Sequence, residues 1–119
     1  MPQDQNSKRF DLEDRTFVFA KACRRFVKTL AKTIGNVEDA RQLVRASGSV
    51  GANYIEANEA LSKKDFVMRI KICRKEAKES RYWLRLLEAT DQTGDERDCL
   101  VQEAQELMNI FGAIVRKTE

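Results

Sequence analysis

The sequence contains no histidine and a single proline, Pro2, in 119 residues. Histidine is the commonest acid–base group and a frequent metal ligand, so its absence argues against most hydrolytic and metal-dependent sites. The few glycines match neither a phosphate-binding loop nor a dinucleotide-binding fingerprint. We therefore predict a protein that is not an enzyme and that binds no cofactor and no metal. The near absence of proline leaves long helices unbroken.

Cysteine is scarce, and long apolar runs are missing. Cys23, Cys73 and Cys99 are odd in number, far apart and without a C-x-x-C pair. This pattern argues against a disulfide framework or a zinc site and favours reduced thiols that serve as small core residues. No apolar run reaches the roughly 18 residues of a membrane span, and the polar first ten residues lack the apolar centre of a secretory signal. We expect a cytoplasmic protein with no membrane contact.

Apolar residues recur at helical spacing along four segments of the chain. The links between these segments are short, so neighbouring helices should run antiparallel. We predict an all-α fold, an up-and-down antiparallel four-helix bundle, as one domain over residues 11–117 after a flexible segment over residues 1–10. The predicted helices cover about residues 11–32, 37–60 and 62–88, and a fourth helix ends near residue 117.

Side chains that cap helix N-termini mark three of the predicted helix starts. Asn36 and Asp95 are the predicted caps of the second and fourth helices. The third helix has the clearest signal, because Ser62 with Asp65 resembles a capping box. Leu61 and Phe66, which flank that start, have the spacing of a hydrophobic staple.

Two glycines, Gly48 and Gly51, lie inside the predicted second helix, where each costs about 0.5–1 kcal/mol relative to alanine. A close neighbour would explain them. The second and third helices also carry apolar residues outside their core stripes, whereas a helix of a single bundle buries one face. We predict a homo-oligomer; the alternative is an irregular bundle that buries these residues internally. The predicted oligomer interface comprises Gly48, Gly51, Ala52, Ile55, Met68, Ile72, Trp83 and Leu86.

Charge is segregated along the chain, although the formal net charge is only +3. Residues 15–32 hold six basic and no acidic residues, residues 62–88 hold nine against four, and residues 91–119 hold three against seven. Basic residues at helical spacing repel one another and attract a polyanion. Solvated surface charge is the plainer explanation, and both stay open. The predicted RNA- or DNA-binding residues are Lys21, Arg25, Lys28, Lys32, Arg74, Lys78, Arg81 and Arg85.

Three stretches carry a resemblance to a known family: FDLEDR at residues 10–15, LVRASGSVGANYIEANEALSKKDF at 43–66 and KEAKESRYWLRLL at 75–87. From residue 10 to about residue 117 the chain resembles the bacterial four helix bundle protein family, also called the 23S rRNA-intervening-sequence protein family. The family pattern is matched by Ser49, Gly51, Asn53 and Glu56, and in the third helix by Phe66, Glu76, Glu79 and Trp83.

The resemblance implies a ring-like homopentamer of up-and-down bundles with no known catalytic activity. Members are encoded, among other places, within intervening sequences of large-subunit ribosomal RNA genes. The family also looks like the accessory proteins of diversity-generating retroelements, which are basic pentamers that associate with a reverse transcriptase and nucleic acid. Two hypotheses follow. One is an oligomer that binds RNA or DNA without sequence specificity, and the other is an oligomeric scaffold that recruits a protein partner, such as a nucleic-acid-processing protein.

Overall fold

The computed structural model describes the backbone of residues 5–119 and the side chains from Leu12 onward. The regular structure in this part of the chain is helical, without strands, as predicted. No helix within it is both long enough and apolar enough to cross a membrane. The helices are α1 (Gln5–Val27), α2 (Ile34–Asn58), α3 (Lys63–Leu86) and α4 (Gly94–Thr118).

The N-terminal boundary differs from the expected one. The backbone of α1 is helical from Gln5, before the predicted start near residue 11. Residues 1–4 and the side chains through residue 11 lie outside the described part, so the flexible segment over residues 1–10 stays a prediction.

Consecutive helices pack against each other in opposite directions, and α1 also packs against α4. The end of α2 lies beside the early part of α1, where the Asn58 side chain donates to Glu13 at 2.8 Å. The α2–α3 and α3–α4 contacts are each more extensive than either contact of α1. Because α1 contacts only α2 and α4 among the described residues, α1 and α3 lie diagonally across the bundle, and the described part of α1 has less extensive contacts than the other helices.

The predicted apolar stripes meet in one core, which the ring pair Tyr54–Phe111 crosses with 6.1 Å between centroids. Cys23 and Cys73 are buried in this core, and burial raises the pKa of each thiol to about 12. The third thiol, Cys99, is exposed. The prediction of a core role is therefore wrong for Cys99, which precedes the buried Leu100 and so points away from the α4 core stripe.

The predicted cap of α3 is confirmed, since the Ser62 hydroxyl accepts from the Asp65 backbone N–H at 3.0 Å. The predicted staple beside it is wrong, because Leu61 is 97% exposed. The predicted cap of α4 is also wrong. Thr93 holds the N-cap position and Asp95 lies in the first turn of α4, where its charge favours the positive end of the helix dipole.

The predicted cap of α2 and the predicted end of α1 are both wrong for one reason: Asn36 is buried and makes tertiary hydrogen bonds. Its amide donates to the carbonyl oxygens of Ala31 at 3.0 Å and Glu88 at 3.2 Å, and its oxygen accepts from the Glu88 N–H at 2.9 Å. These bonds hold residues 28–33 as a link between helices. Thr33 caps α2 in place of Asn36.

Candidate nucleic-acid interface

The basic row predicted on the first helix begins on α1 and continues into the link that follows it. Lys21 and Arg25 are exposed on α1. Because α1 ends at Val27, Lys28 lies in a turn and Lys32 in the link, so the predicted helical spacing is lost beyond Arg25. All four cations are exposed, and none of them makes a hydrogen bond or ion pair through its side chain with the side chains described.

The basic row of α3 faces α4. Arg74 and Lys78 line a groove of about 300 Å³ between the two helices, and Arg116 of α4 lines the facing wall. The remaining lining residues are Met108, Asn109 and Gly112. We call this the α3/α4 groove.

Two further cations of the α3 row lie beyond the groove. Arg81 donates from Nη1 to Gln105 Oε1 of α4, while its Nε is buried without a hydrogen bond. Arg85 is exposed in the last turn of α3.

The two predicted basic rows lie on opposite sides of the subunit. Lys21 lines a second groove, between α1 and α2, whereas Arg74 and Lys78 line the α3/α4 groove. Because α1 and α3 are diagonal in the bundle, one subunit does not bring the two rows into a single surface. Sequence reasoning missed Arg116, which lies in the acidic segment 91–119. The sequence did carry one signal: Arg116 lies four residues after Gly112, so the two share one face of the predicted fourth helix.

The second groove, which we call the α1/α2 groove, has a volume of about 330 Å³ and is mainly apolar. Phe17 and Ile55 line it with exposed fractions of 61% and 52%. Gly48, Gly51, Ala20 and Ala52 complete its apolar wall. Four predicted interface residues therefore meet here, and Phe17 is a fifth apolar residue that the core-stripe analysis passed over.

The four predicted interface residues of α3 do not meet in one groove: Met68 lines a groove of about 680 Å³ at the start of α3, and the other three do not line it. Met68 and Leu86 are 49% and 46% exposed, while Ile72 and Trp83 are partly buried. Some of the surplus apolar residues are thus half-exposed and others are partly buried within the subunit, so the homo-oligomer and the irregular bundle both stay predictions.

Gly51 has its close neighbour within the chain. A Cβ at this position would lie 2.9 Å from Oγ1 and 3.3 Å from Cβ of Thr16 on α1. The Thr16 hydroxyl donates to the Glu13 carbonyl at 3.0 Å, which fixes its position. At Gly48 a Cβ would meet only the guanidinium of Arg24, at 3.2 Å. Gly51 thus allows α1 to approach α2, whereas Gly48 faces the open groove.

The residues that match the family pattern contribute mainly to the α2–α3 contact. Asn53 donates to the Ser49 carbonyl at 2.9 Å and accepts from Arg69 Nη1 at 3.0 Å. Arg45 of α2 reaches the carboxylates of α3 at 3.3 Å for Glu79 and 3.9 Å for Glu76. These contacts hold α2 against α3 and give Glu76 and Glu79 a shared cationic partner. Glu56 is exposed.

Comparison with known proteins identifies relatives by sequence and by fold. The sequence model of the family described as 23S rRNA-intervening sequence protein matches residues 8–113. A crystal structure at 1.70 Å resolution is also similar; it is of a protein with unknown function from the S23 ribosomal protein family of Bacteroides thetaiotaomicron VPI-5482. The two share 28% sequence identity over 87% of this chain and 96% of that one, with a TM-score of 0.75. Among proteins with curated descriptions, none matches this chain significantly.

Proposed function

Because the chain belongs to the 23S rRNA-intervening sequence protein family, we propose that it is a non-catalytic homo-oligomer that binds RNA or DNA through exposed cations, without sequence specificity. One observation carries the proposal. Of the eight predicted cations, all but Arg81 have side chains free of hydrogen bonds and ion pairs within the described part of the chain. Unpaired cations gain most from contact with phosphates, because they have no internal partner to give up and release counterions on binding.

Self-association is the second element of the proposal. The α1/α2 groove lies on one flank of α2, and the half-exposed Met68 and Leu86 lie on α3, which packs against the other flank. A closed ring needs two different surfaces on each subunit, since each contact in a ring is heterologous. The α1/α2 groove and the exposed apolar side chains of α3 supply two different contacts on either side of α2, and a pentamer is the ring that the family resemblance implies. A ring would also repeat both basic rows around its circumference, which strengthens the field that attracts a polyanion.

The cytoplasm is the compartment that we propose for this activity. The three cysteines are free thiols, and two of them are buried with raised pKa values. Free thiols without disulfides are typical of proteins from reducing compartments.

Assembly is tested by light scattering after size-exclusion chromatography. We expect a pentamer for the wild type and a monomer for Ile55→Asp and for Leu86→Asp, because each change places a charge in an apolar contact. The control is Leu61→Asp, at an exposed apolar residue between α2 and α3, which should leave the mass unchanged. A monomeric wild type, or a mass that neither variant changes, would contradict the proposed assembly.

Binding is tested by fluorescence anisotropy with single-stranded and duplex RNA and DNA of unrelated sequences. We expect affinity at about 50 mM salt that falls steeply by about 200 mM and differs little between sequences. The variant Arg25→Glu/Lys28→Glu, whose two exposed positions lie outside the α1/α2 groove, should bind more weakly in every case. Absence of binding at the lower salt concentration would refute the nucleic-acid proposal and favour the scaffold hypothesis.

A further inference from the structure

We propose that the α3/α4 groove is a phosphate clamp, in which Arg74 and Arg116 hold one phosphate of a nucleic-acid backbone between them. The inference rests on the proposed function for its ligand and adds the site, its donors and a residue of α4. It makes this groove the anchoring contact of each subunit, whereas the exposed cations of α1 add only diffuse attraction.

The charges around the groove are the first argument. Arg74, Lys78 and Arg116 line it, and no carboxylate does. The described side chains include no ion-pair partner for any of the three. Three cations held close together without an anion repel one another, and a bound oxyanion relieves that repulsion.

Three acidic residues of the segment 91–119 are paired outside the groove. Glu103 and Glu106 both accept from Arg15 of α1, each with a contact of 2.7 Å. Glu119 pairs with Lys71 at 3.0 Å. Glu103 and Glu106 are therefore drawn toward α1, and Glu119 is paired with Lys71 of α3 at the end of the chain, so that none of the three lines the groove.

Gly112 forms the floor of the groove. A Cβ at this position would lie 3.4 Å from Nη1 of Arg116 and 3.8 Å from Nη1 of Arg74. Both guanidinium groups thus lie near one point on the α4 backbone, and they approach it from different helices. Guanidinium groups bind phosphate oxygens through paired N–H···O contacts of about 2.8 Å, so two of them facing one point suit a tetrahedral oxyanion.

A relay of amides adds a neutral donor to the same wall. Arg81 can only donate, so Gln105 must present its oxygen to Arg81 and its NH₂ group to the next residue. That NH₂ group donates to Asn109 Oδ1 at 3.0 Å. With its oxygen engaged, Asn109 has its own NH₂ group left to donate, and Asn109 lines the groove. Each polar side chain that lines the α3/α4 groove can therefore donate a hydrogen bond to a ligand there.

The surroundings favour a polymer over a free ion. The groove is open to solvent, and the α3 row continues past it through Arg81 to the exposed Arg85. A single phosphate would occupy the clamp and leave the exposed Arg85 without an anionic partner. A backbone that runs along α3 places further phosphates beside them, and each one releases counterions.

The test compares each groove arginine with a lysine next to it in sequence that lies outside the groove. Arg116→Gln is paired with Lys117→Gln, and Arg74→Gln with Lys75→Gln, so that each pair removes the same charge. Binding of a single-stranded oligonucleotide is measured by anisotropy across a salt series. We expect each arginine variant to weaken binding several-fold and to reduce the slope of log K against log salt by about 1, with a smaller change for each lysine control.

Three outcomes separate the clamp from the broader proposal. If the wild type binds and the arginine variants match their lysine controls, the clamp is refuted and the proposed function stands. If the wild type does not bind the oligonucleotide even at about 50 mM salt, the proposed function fails and the backbone assignment fails with it. In that case a thermal shift with inorganic phosphate alone decides whether the groove binds any phosphate. Stabilisation that Arg116→Gln abolishes would identify a free-phosphate site, and no stabilisation would refute the clamp entirely.

Discussion

The α1/α2 and α3/α4 grooves of this bundle have nearly the same size and opposite chemistry. The α1/α2 groove has a volume of about 330 Å³ and exposes Phe17 and Ile55, whereas the α3/α4 groove has a volume of about 300 Å³ and exposes Arg74 and Arg116. Each lies between two antiparallel helices and has glycine in its wall. The two grooves therefore share a setting between antiparallel helices, and their side chains suit one to an apolar partner and the other to an anion.

The glycines of the two grooves, Gly51 and Gly112, also differ in the side chains that surround them. Gly51 is needed by the fold, because the Thr16 hydroxyl occupies the space that a Cβ would take. Gly112 is not needed for helix packing, since the nearest atoms to its missing Cβ belong to the flexible side chains of Arg74 and Arg116. A helical glycine in this protein thus marks tight packing in one groove and the floor of a cationic site in the other.

The largest effect that we predict comes from Gly51→Leu. The new side chain would force α1 away from α2, and overpacking of this kind costs typically 1–3 kcal/mol of unfolding free energy. Urea denaturation measures the loss. The control is Gly48→Leu, where only the end of the Arg24 side chain has to move. Equal losses in the two variants would contradict the distinction between a packing glycine and a groove glycine.

A double-mutant cycle sharpens this result. Thr16→Ala removes the hydroxyl that lies 2.9 Å from the added Cβ and should recover part of the stability lost in Gly51→Leu. Strict additivity of the two changes would mean that the strain lies elsewhere.

The fold could be predicted from the sequence because helical periodicity depends on short-range spacing. To predict the core stripes, only the positions of the apolar residues in the sequence were needed. The end of α1 could not be read in this way, since Asn36 meets Glu88, a residue 52 positions away, and that contact forms only in the folded bundle. The partner of Gly51 was hidden for the same reason.

The candidate site was predictable only in part. The α3 row could be read from spacing, because its cations share one helix face. The contribution of Arg116 could not, since the segment around it is acidic and its acids turn toward α1 only through their contacts with Arg15. The net charge of a segment combines residues that lie on different faces of the folded helix, so an acidic segment can still present a basic face.

For the glycine of the α3/α4 groove we predict a gain in unfolding free energy, opposite to the loss expected for Gly51→Leu. Gly112→Ala places a methyl group where the nearest atoms are at ordinary contact distance, so the gain in helix propensity should raise the unfolding free energy by about 0.5–1 kcal/mol. The same urea titration measures it. A loss as large as that of Gly51→Leu would mean that Gly112 serves packing after all, and the two glycines would no longer differ.

The smallest predicted effect concerns the contact that holds α1 to α4. Hydrogen bonds from Gln102 and Arg15 lower the pKa of the exposed Glu106. A carboxylate with a lowered folded-state pKa contributes stability above its unfolded pKa of about 4.3, and that contribution is lost as the pH falls through the folded value. We therefore expect α1 amides to lose protection as the pH falls from about 6 to about 3, a range that includes that value, after correction for intrinsic exchange, and α3 amides to lose less. Exposed ion pairs are weak, so the change in amide protection should be less than about tenfold.

Arg15→Gln is the control for this prediction. It removes the partner of Glu106 on α1, so the difference in amide protection between α1 and α3 should no longer depend on pH. If the difference persists in that variant, the acid sensitivity of α1 arises from another contact.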